Sequence, residues 1–264
     1  MMDLRINGKT AVVTAASRGL GRAVAENLAS EGADLVICAR NKETIEQTAR
    51  EIGDKYGTRV FPFACDVTDK ERIGQMRKVV EKELGTCHML FVNAGGPPPG
   101  TVESFDDADF RKALELNLIS TINVVNSFLP HMIQQKWGRI LACTSISVKQ
   151  PLGGLALSNV SRAGVVSFIK TLSDQVGKFN ITANTIAPGY IMTERVVSLI
   201  TGRSEKEGRD YEEIRKEIEG QIPVGKIGSP GEFGAFAAFL LSDIASYITG
   251  VTYLIDGGMY RGTM

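Results

Sequence analysis

The residues best suited to chemistry begin with Thr14-Ala15-Ala16-Ser17-Arg18-Gly19-Leu20-Gly21. This stretch follows an apolar run and opens a segment of helical period. Glycines at 19 and 21 let the backbone approach a pyrophosphate closely. The helix start supplies free N–H groups and a partial positive charge. A glycine turn by itself is often only a turn; the strand, turn and helix around it point to a dinucleotide. Arg40 stands where the second apolar run ends. An NAD site places Asp or Glu there to hold the ribose 2′-hydroxyl, whereas a cation suits a 2′-phosphate. Arg18 favours the same group, because a guanidinium forks onto phosphate oxygens. Two surface arginines are the plain alternative. Their two positions favour NADP(H).

Composition excludes several other chemistries. Lys+Arg total 30 and Asp+Glu total 30, a balance that argues against a nucleic-acid-binding protein with a basic face. Four cysteines (Cys38, Cys65, Cys87, Cys143) show neither a CxxC pair nor metal-ligand spacing, so they read as reduced, small hydrophobes. His88 and His131 read as structural, and no metal site is expected. The start, MMDLRINGKT, lacks the apolar core of a signal peptide. The apolar stretch 233–241 falls far short of the ~20 residues that span a bilayer. A cytoplasmic protein is expected, with no membrane partner.

The elements that must position these residues alternate. Apolar runs at 10–14, 34–39, 60–65, 89–93, 139–144, 182–187 and 251–255 read as strands. Between them lie helical segments at 19–30, 42–56 and 69–84, and longer ones at 105–135 and 154–177. Strands that read as unbroken apolar runs are covered on both faces. The expected fold is α/β, a Rossmann-type doubly wound, seven-stranded parallel sheet with helices on both faces, in one domain over 1–264. Pro62 would remove a ladder donor, which puts the third strand at an edge. Gly96-Pro97-Pro98-Pro99-Gly100 reads as a rigid loop. The charged segment 202–221 reads as solvated helix or loop over the surface, an exposed insertion or, within about 192–221, a lid over a ligand cleft.

With these motifs in order, almost the whole chain resembles the short-chain dehydrogenase/reductase family, and within it the 3-oxoacyl-carrier-protein reductases. The family's TGxxxGxG loop is matched by Thr14–Gly21, with Ala15 in place of the first glycine. Its Asp-Val pair is similar to Asp66-Val67, its Asn-Ala-Gly turn to Asn93-Ala94-Gly95, its helix asparagine to Asn117 and its serine to Ser145. Pro188-Gly189, followed by Thr193, resembles the segment that closes over the nicotinamide. The resemblance thus implies cofactor contacts at Thr14, Ala16, Ser17, Arg18, Gly19, Leu20, Arg40, Asp66, Val67, Asn93, Ala94, Gly95, Arg162, Pro188, Gly189 and Thr193. It implies catalytic roles at Ser145, Asn117, Ser158 and Arg162.

The family's Tyr-x-x-x-Lys motif is absent. Thirteen positions after Ser145 stands Ser158, and Arg162 occupies the lysine position. No tyrosine occurs between 141 and 169. A tyrosine hydroxyl has a reference pKa near 10, which nearby cations bring toward neutrality. Ser158 is a much weaker acid and shorter by a ring, and Arg162 is permanently protonated. Losing a general acid typically costs ~10²–10⁴ in rate, about 3–5 kcal/mol of barrier. Ser145 can still donate to a carbonyl oxygen, and Arg162 can stabilise negative charge without giving up its proton. Tyr190 and Lys149 are substitute acids; packing at the loop base and plain surface exposure are the blander readings of each.

Three functions fit these residues. One is an NADP(H)-dependent reductase or dehydrogenase of a small carbonyl or alcohol, with an atypical proton donor. Another is a catalytically impaired NADP(H)-binding relative that acts as a sensor or assembly partner. The third is a structural homologue with a relic cleft, which the intact Asn93–Gly95, Ser145 and Pro188-Gly189 weigh against. Substrate choice is expected in 97–99, 149–156 and 192–221, where Val196, Val197, Leu199 and Ile200 offer an apolar face. Surplus apolar residues on 105–135 and 154–177, together with the resemblance, imply a homo-oligomer, a tetramer with two-fold axes.

Overall fold

Seven short apolar runs pair into one sheet: β1 (Thr10–Val13), β2 (Asp34–Ala39), β3 (Val60–Ala64), β4 (Met89–Val92), β5 (Gly138–Cys143), β6 (Ile181–Pro188) and β7 (Thr252–Ile255). Their order is β3-β2-β1-β4-β5-β6-β7, and every neighbouring pair is parallel. The computed structural model of the chain describes residues 3–263. β1, β4, β5 and β6 are buried along their full length, as strands covered on both faces must be. β3 lies at one edge, and Pro62 in it is exposed, so its missing N–H costs little.

Successive strand residues face opposite layers. Val13, Leu35, Ile37 and Phe91 pack against α1 (Gly19–Ser30), α2 (Lys42–Tyr56) and α9 (Pro230–Leu240). Val12, Val36, Leu90 and Ile140 face α3 (Lys70–Leu84), α5 (Ser120–Gln135) and α6 (Ala156–Val176). α1 and α9 approach so closely that a Cβ on Gly234 would lie 2.5 Å from the Ala23 carbonyl oxygen. His88 is structural, as expected: its Nδ1 accepts a hydrogen bond from the Thr10 N–H at 3.0 Å. Burial, with Lys9 nearby, pushes its pKa down to about 4. Among the described residues no helix is long and apolar enough to cross a membrane.

One segment differs from the sequence reading. The single helix expected over 105–135 is broken. Asp106 and Asp109 form a reciprocal capping box that starts α4 (Asp107–Leu114). A π-helical turn, Glu115–Ile119, then joins α4 to α5. The wide turn carries Asn117, whose Nδ2 donates to Ser161 Oγ on α6 at 2.9 Å. π turns of this kind are common beside functional sites.

The charged segment, read as solvated helix or loop, is two helices, α7 (Glu194–Glu207) and α8 (Tyr211–Gln221). Gly208, at φ +63°, ends α7 in a left-handed conformation that suits glycine. Ile200, Ile214, Ile218, Ile222 and Ile227 make a small core of their own. The charges that made the segment read as exposed pair along its outside, including Arg203 and Arg209 with both Glu207 and Glu217.

Candidate active site

A cavity of about 600 Å³ opens at the carboxyl ends of the strands, the usual ligand position in a doubly wound sheet. The turn after β1 supplies Ala15, Arg18, Gly19 and Leu20; Arg40 comes from the end of β2. Asn93, Ala94, Gly95 and Gly96 follow β4, Ser145 follows β5, and Pro188, Gly189 and Tyr190 come from the end of β6. The first turns of α6 contribute Ser158 and Arg162. Thr193 and the start of α7 close the opposite wall with Glu194, Arg195, Val196 and Leu199.

The β1 turn is built to keep a tight shape. Thr14 is fully buried. Its hydroxyl donates to the Asn93 carbonyl and accepts from the Asn93 N–H, each at 2.7 Å, which ties the turn to the one after β4. The Ala16 N–H donates to the Cys38 carbonyl at 2.9 Å. The Ser17 carbonyl accepts from the Thr48 hydroxyl at 3.2 Å. Gly19 sits at φ +58° facing Thr193 across the cleft. A Cβ on Gly21 would run into the Ala15 carbonyl. Gly21 is therefore required by geometry, and the left-handed φ at Gly19 favours glycine there. Ala15, where the family loop has glycine, sits at φ +51°. A left-handed alanine costs roughly 1–2 kcal/mol, so this chain carries backbone strain in its phosphate loop.

The expected site residues separate into those on the wall and those behind it. Thr14, Ala16 and Ser17 shape the turn from behind. Asp66 and Val67 also lie outside the cavity lining. Asp66 is occupied locally, its Oδ1 accepting from the N–H and hydroxyl of Thr68 at 3.0 and 2.8 Å. Asn117 is buried behind the wall. Its carbonyl takes the Thr121 hydroxyl at 2.6 Å, and its Oδ1 has no hydrogen-bond partner. Lys149 is exposed and outside the cavity lining, as its plain surface reading has it. Of the apolar lid residues, Val196 and Leu199 line the cavity. Val197 does not, and Ile200 is buried in the lid's own core. Leu152, Leu155 and Arg195, within the segments expected to set substrate choice but not singled out there, also line it, as does Met259, which the sequence reading missed.

Ser145 starts a short 3₁₀ turn, and its Oγ accepts from the Ser147 N–H at 3.2 Å. Ser158 lies on the cavity wall, only 9% exposed. Arg162, one helical turn further on, is 8% exposed. Its Nη1 donates to the Cys143 carbonyl at 3.0 Å, and among the described residues no carboxylate forms an ion pair with it. Burial lowers its pKa from the usual arginine value, and Arg195 adds to the effect; a guanidinium stays charged regardless. Burial pushes the Cys143 thiol up to about 11, partly offset by Arg162. Tyr190 is the sole tyrosine lining the cavity among the described residues, and it also packs against the lid core. Arg18 reaches across the mouth to Glu194 at 2.6 Å. Both ends of that pair are exposed, so it contributes little energy.

This architecture has known counterparts. Residues 14–260 match the family model described as enoyl-(acyl carrier protein) reductase. The 3-oxoacyl-[acyl-carrier-protein] reductase FabG of Aquifex aeolicus is 32% identical over 259 residues, covering 98% of this chain and 100% of that protein. The L-sorbose reductase of Gluconobacter frateurii, solved with NADPH and L-sorbose, superposes with a TM-score of 0.95 at 32% identity, over 99% of this chain and 100% of that one. YwfH, an NADPH-dependent reductase involved in bacilysin biosynthesis, gives 0.92 at 29% identity, over 96% and 99%. The chain belongs to the short-chain dehydrogenase/reductase family, and its relatives include 3-oxoacyl-carrier-protein reductases.

The strained alanine makes a direct prediction. Ala15→Gly relieves a left-handed conformation, offset in part by the extra freedom glycine gives the unfolded chain. Chemical denaturation should show a gain of about 0.5–1 kcal/mol. No gain, or a loss, would mean that the alanine methyl is held by packing that outweighs the strain.

Proposed function

We propose that the protein is an NADP(H)-dependent oxidoreductase that moves hydride between nicotinamide and a small carbonyl or alcohol, with an atypical proton donor. The observation that carries this reading is the wall itself: Ser145, Ser158 and Arg162 converge on one cavity that also holds the phosphate-loop glycine Gly19 and Arg40. The chain's residues suit the cofactor. Gly19 leaves room for a pyrophosphate, the start of α1 offers free N–H groups, and Arg18 and Arg40 offer positive charge to a 2′-phosphate. NADPH bound here would supply the hydride.

The remaining steps belong to side chains. Ser145 donates to the carbonyl oxygen and orients it. Arg162, buried and permanently charged, stabilises the negative charge that grows on that oxygen and holds the ribose. Ser158 has no acidity of its own at neutral pH, so it acts as a relay that hands on a proton from solvent. Asn117 acts from behind, setting the seam between its π turn and α6 through Ser161. The same loss of Tyr and Lys favours a second reading, a relative that binds NADP(H) as a sensor or assembly partner without turnover. Coenzyme binding with no carbonyl able to oxidise NADPH would select it.

In either case we propose a cytoplasmic homo-oligomer, a tetramer by family resemblance. Val160 on α6 is 50% exposed and Val102 is 67% exposed, apolar surface suited to burial between copies.

Two outcomes test the proposal. The native protein should bind NADPH more tightly than NADH, and Arg40→Asp should invert that preference, because a carboxylate repels the 2′-phosphate and accepts from free ribose hydroxyls. Equal native affinities, read by fluorescence titration, would contradict the role of Arg40. The native rate on simple ketones should be low. Ser158→Tyr with Arg162→Lys should raise it on the order of tenfold or more, within the ~10²–10⁴ a general acid contributes. Ser158→Tyr alone should help less, since neighbours in one network couple. If Tyr190 already serves as the acid, the double replacement lowers activity and Tyr190→Phe abolishes it.

A further inference from the structure

The charges on the cavity wall do not balance. Among the described residues it carries four arginines (Arg18, Arg40, Arg162 and Arg195) and one carboxylate, Glu194, with no lysine, aspartate or histidine. Glu194 is taken by Arg18. Arg18 and Arg40 belong to the β1 and β2 end, beside the glycine turn that suits the phosphates. Arg162 and Arg195 belong to the other end and have no carboxylate partner.

Their hydrogen bonds are sparse as well. Arg162, nine-tenths buried, has a single protein acceptor, the Cys143 carbonyl. Arg195 lies against the backbone after β4: a Cβ on Gly96 would come within 2.8 Å of its Nη2. That nitrogen donates to the Pro97 carbonyl at a long 3.4 Å. Gly96 therefore makes room for this guanidinium, which carries its charge over the Gly-Pro-rich loop and into the cleft.

A buried charge without a partner is costly, which applies to Arg162; Arg195 is exposed on the cavity wall, and among the described residues no carboxylate pairs with it. Ribose hydroxyls give acceptors for Arg162 but no counter-charge. Oxidised nicotinamide would add a further cation at the same end. Ligand chemistry that removes the imbalance is anionic, and a guanidinium takes a carboxylate by two parallel hydrogen bonds. Resting on the reductase reading above, we infer that the substrate is an oxo acid whose carboxylate is held by Arg195, with Arg162 adding its charge beside the carbonyl. Leu152, Leu155 and Met259 on the wall then cover the short apolar stem between the two groups.

The test compares 2-oxopentanoate, 4-oxopentanoate and 5-oxohexanoate, each with its methyl ester. Carbonyl and stem are the same within each pair, and only the charge differs. Binding is measured by calorimetry at low salt, on the protein alone and on the protein saturated with NADP⁺, where no hydride is available. At least one acid should bind about tenfold or more tightly than its ester. Arg195→Gln should reduce that ratio to near one, Arg195→Lys should keep part of it, and NADP⁺ affinity should be unchanged in both. Equal binding of acid and ester throughout would overturn the inference, as would selectivity that survives Arg195→Gln. A drop in NADP⁺ affinity with acid selectivity intact would also overturn it, making Arg195 a coenzyme phosphate ligand. If NADP⁺ does not bind the native protein at all, the reductase reading fails separately. The measurements without coenzyme then decide the carboxylate site by the same Arg195 criterion.

Discussion

A guanidinium that cannot release its proton is buried at the carboxyl edge of the central strands, bonded to the Cys143 carbonyl and facing a ligand cavity. Its neighbourhood follows from that fixed charge. The site keeps its hydroxyls at Ser145 and Ser158 but offers no lysine to share or pass a proton. In a cavity of low polarity such a charge is worth more than in water. The same property makes it costly when uncompensated. A site of this kind favours ligands that bring negative charge or develop it during reaction.

The scaffold holds this charge through short-range constraints. Arg162 and Ser158 share the first turns of α6, which the π turn at Glu115–Ile119 meets through Asn117 and Ser161. The β1 turn is pinned to the β4 turn by Thr14 and Asn93. The lid is a separate small packing unit, with isoleucines inside and ion pairs outside. It touches the mouth through the exposed Arg18–Glu194 pair and the weak Arg195 contact to Pro97.

Much of the fold was legible in the sequence because two-sided burial writes itself as unbroken apolar runs. The seven strand positions follow from those runs, although β3 and β7 are only half-buried, and the edge position of β3 follows from Pro62. Helices α1 and α2 occupy the expected spans, 19–30 and 42–56. The break in 105–135 was not legible, since a π turn inserts one residue per turn and leaves the apolar spacing nearly helical. Its start was available in principle: Asp106 and Asp109 are a capping pair three residues apart. The charge of 202–221 left helix or loop open there, and Ile214, Ile218 and Ile222 recur at the helical spacing that decides for helix. For the site, the glycine turn was legible from the residues themselves, whereas Ser145, Ser158 and Arg162 were reached through the family resemblance, by their offsets in its serine–tyrosine–lysine pattern. Arg195 left no such signal, because its importance depends on α7 folding back over Gly96, a contact between distant segments. Asp66 and Val67, named through the motif resemblance, lie outside the cavity lining.

The central claim is that hydride chemistry here is supported by a permanent charge and a non-titrating hydroxyl. Its most direct test is the pH dependence of single-turnover NADPH oxidation between pH 6 and 9.5, on a substrate whose own charge is constant over that range. Arg162 remains protonated throughout and Ser158 does not ionise, so the account predicts a flat profile. A rate that falls with rising pH along a single titration would reveal an ionising acid such as Tyr190 and contradict it.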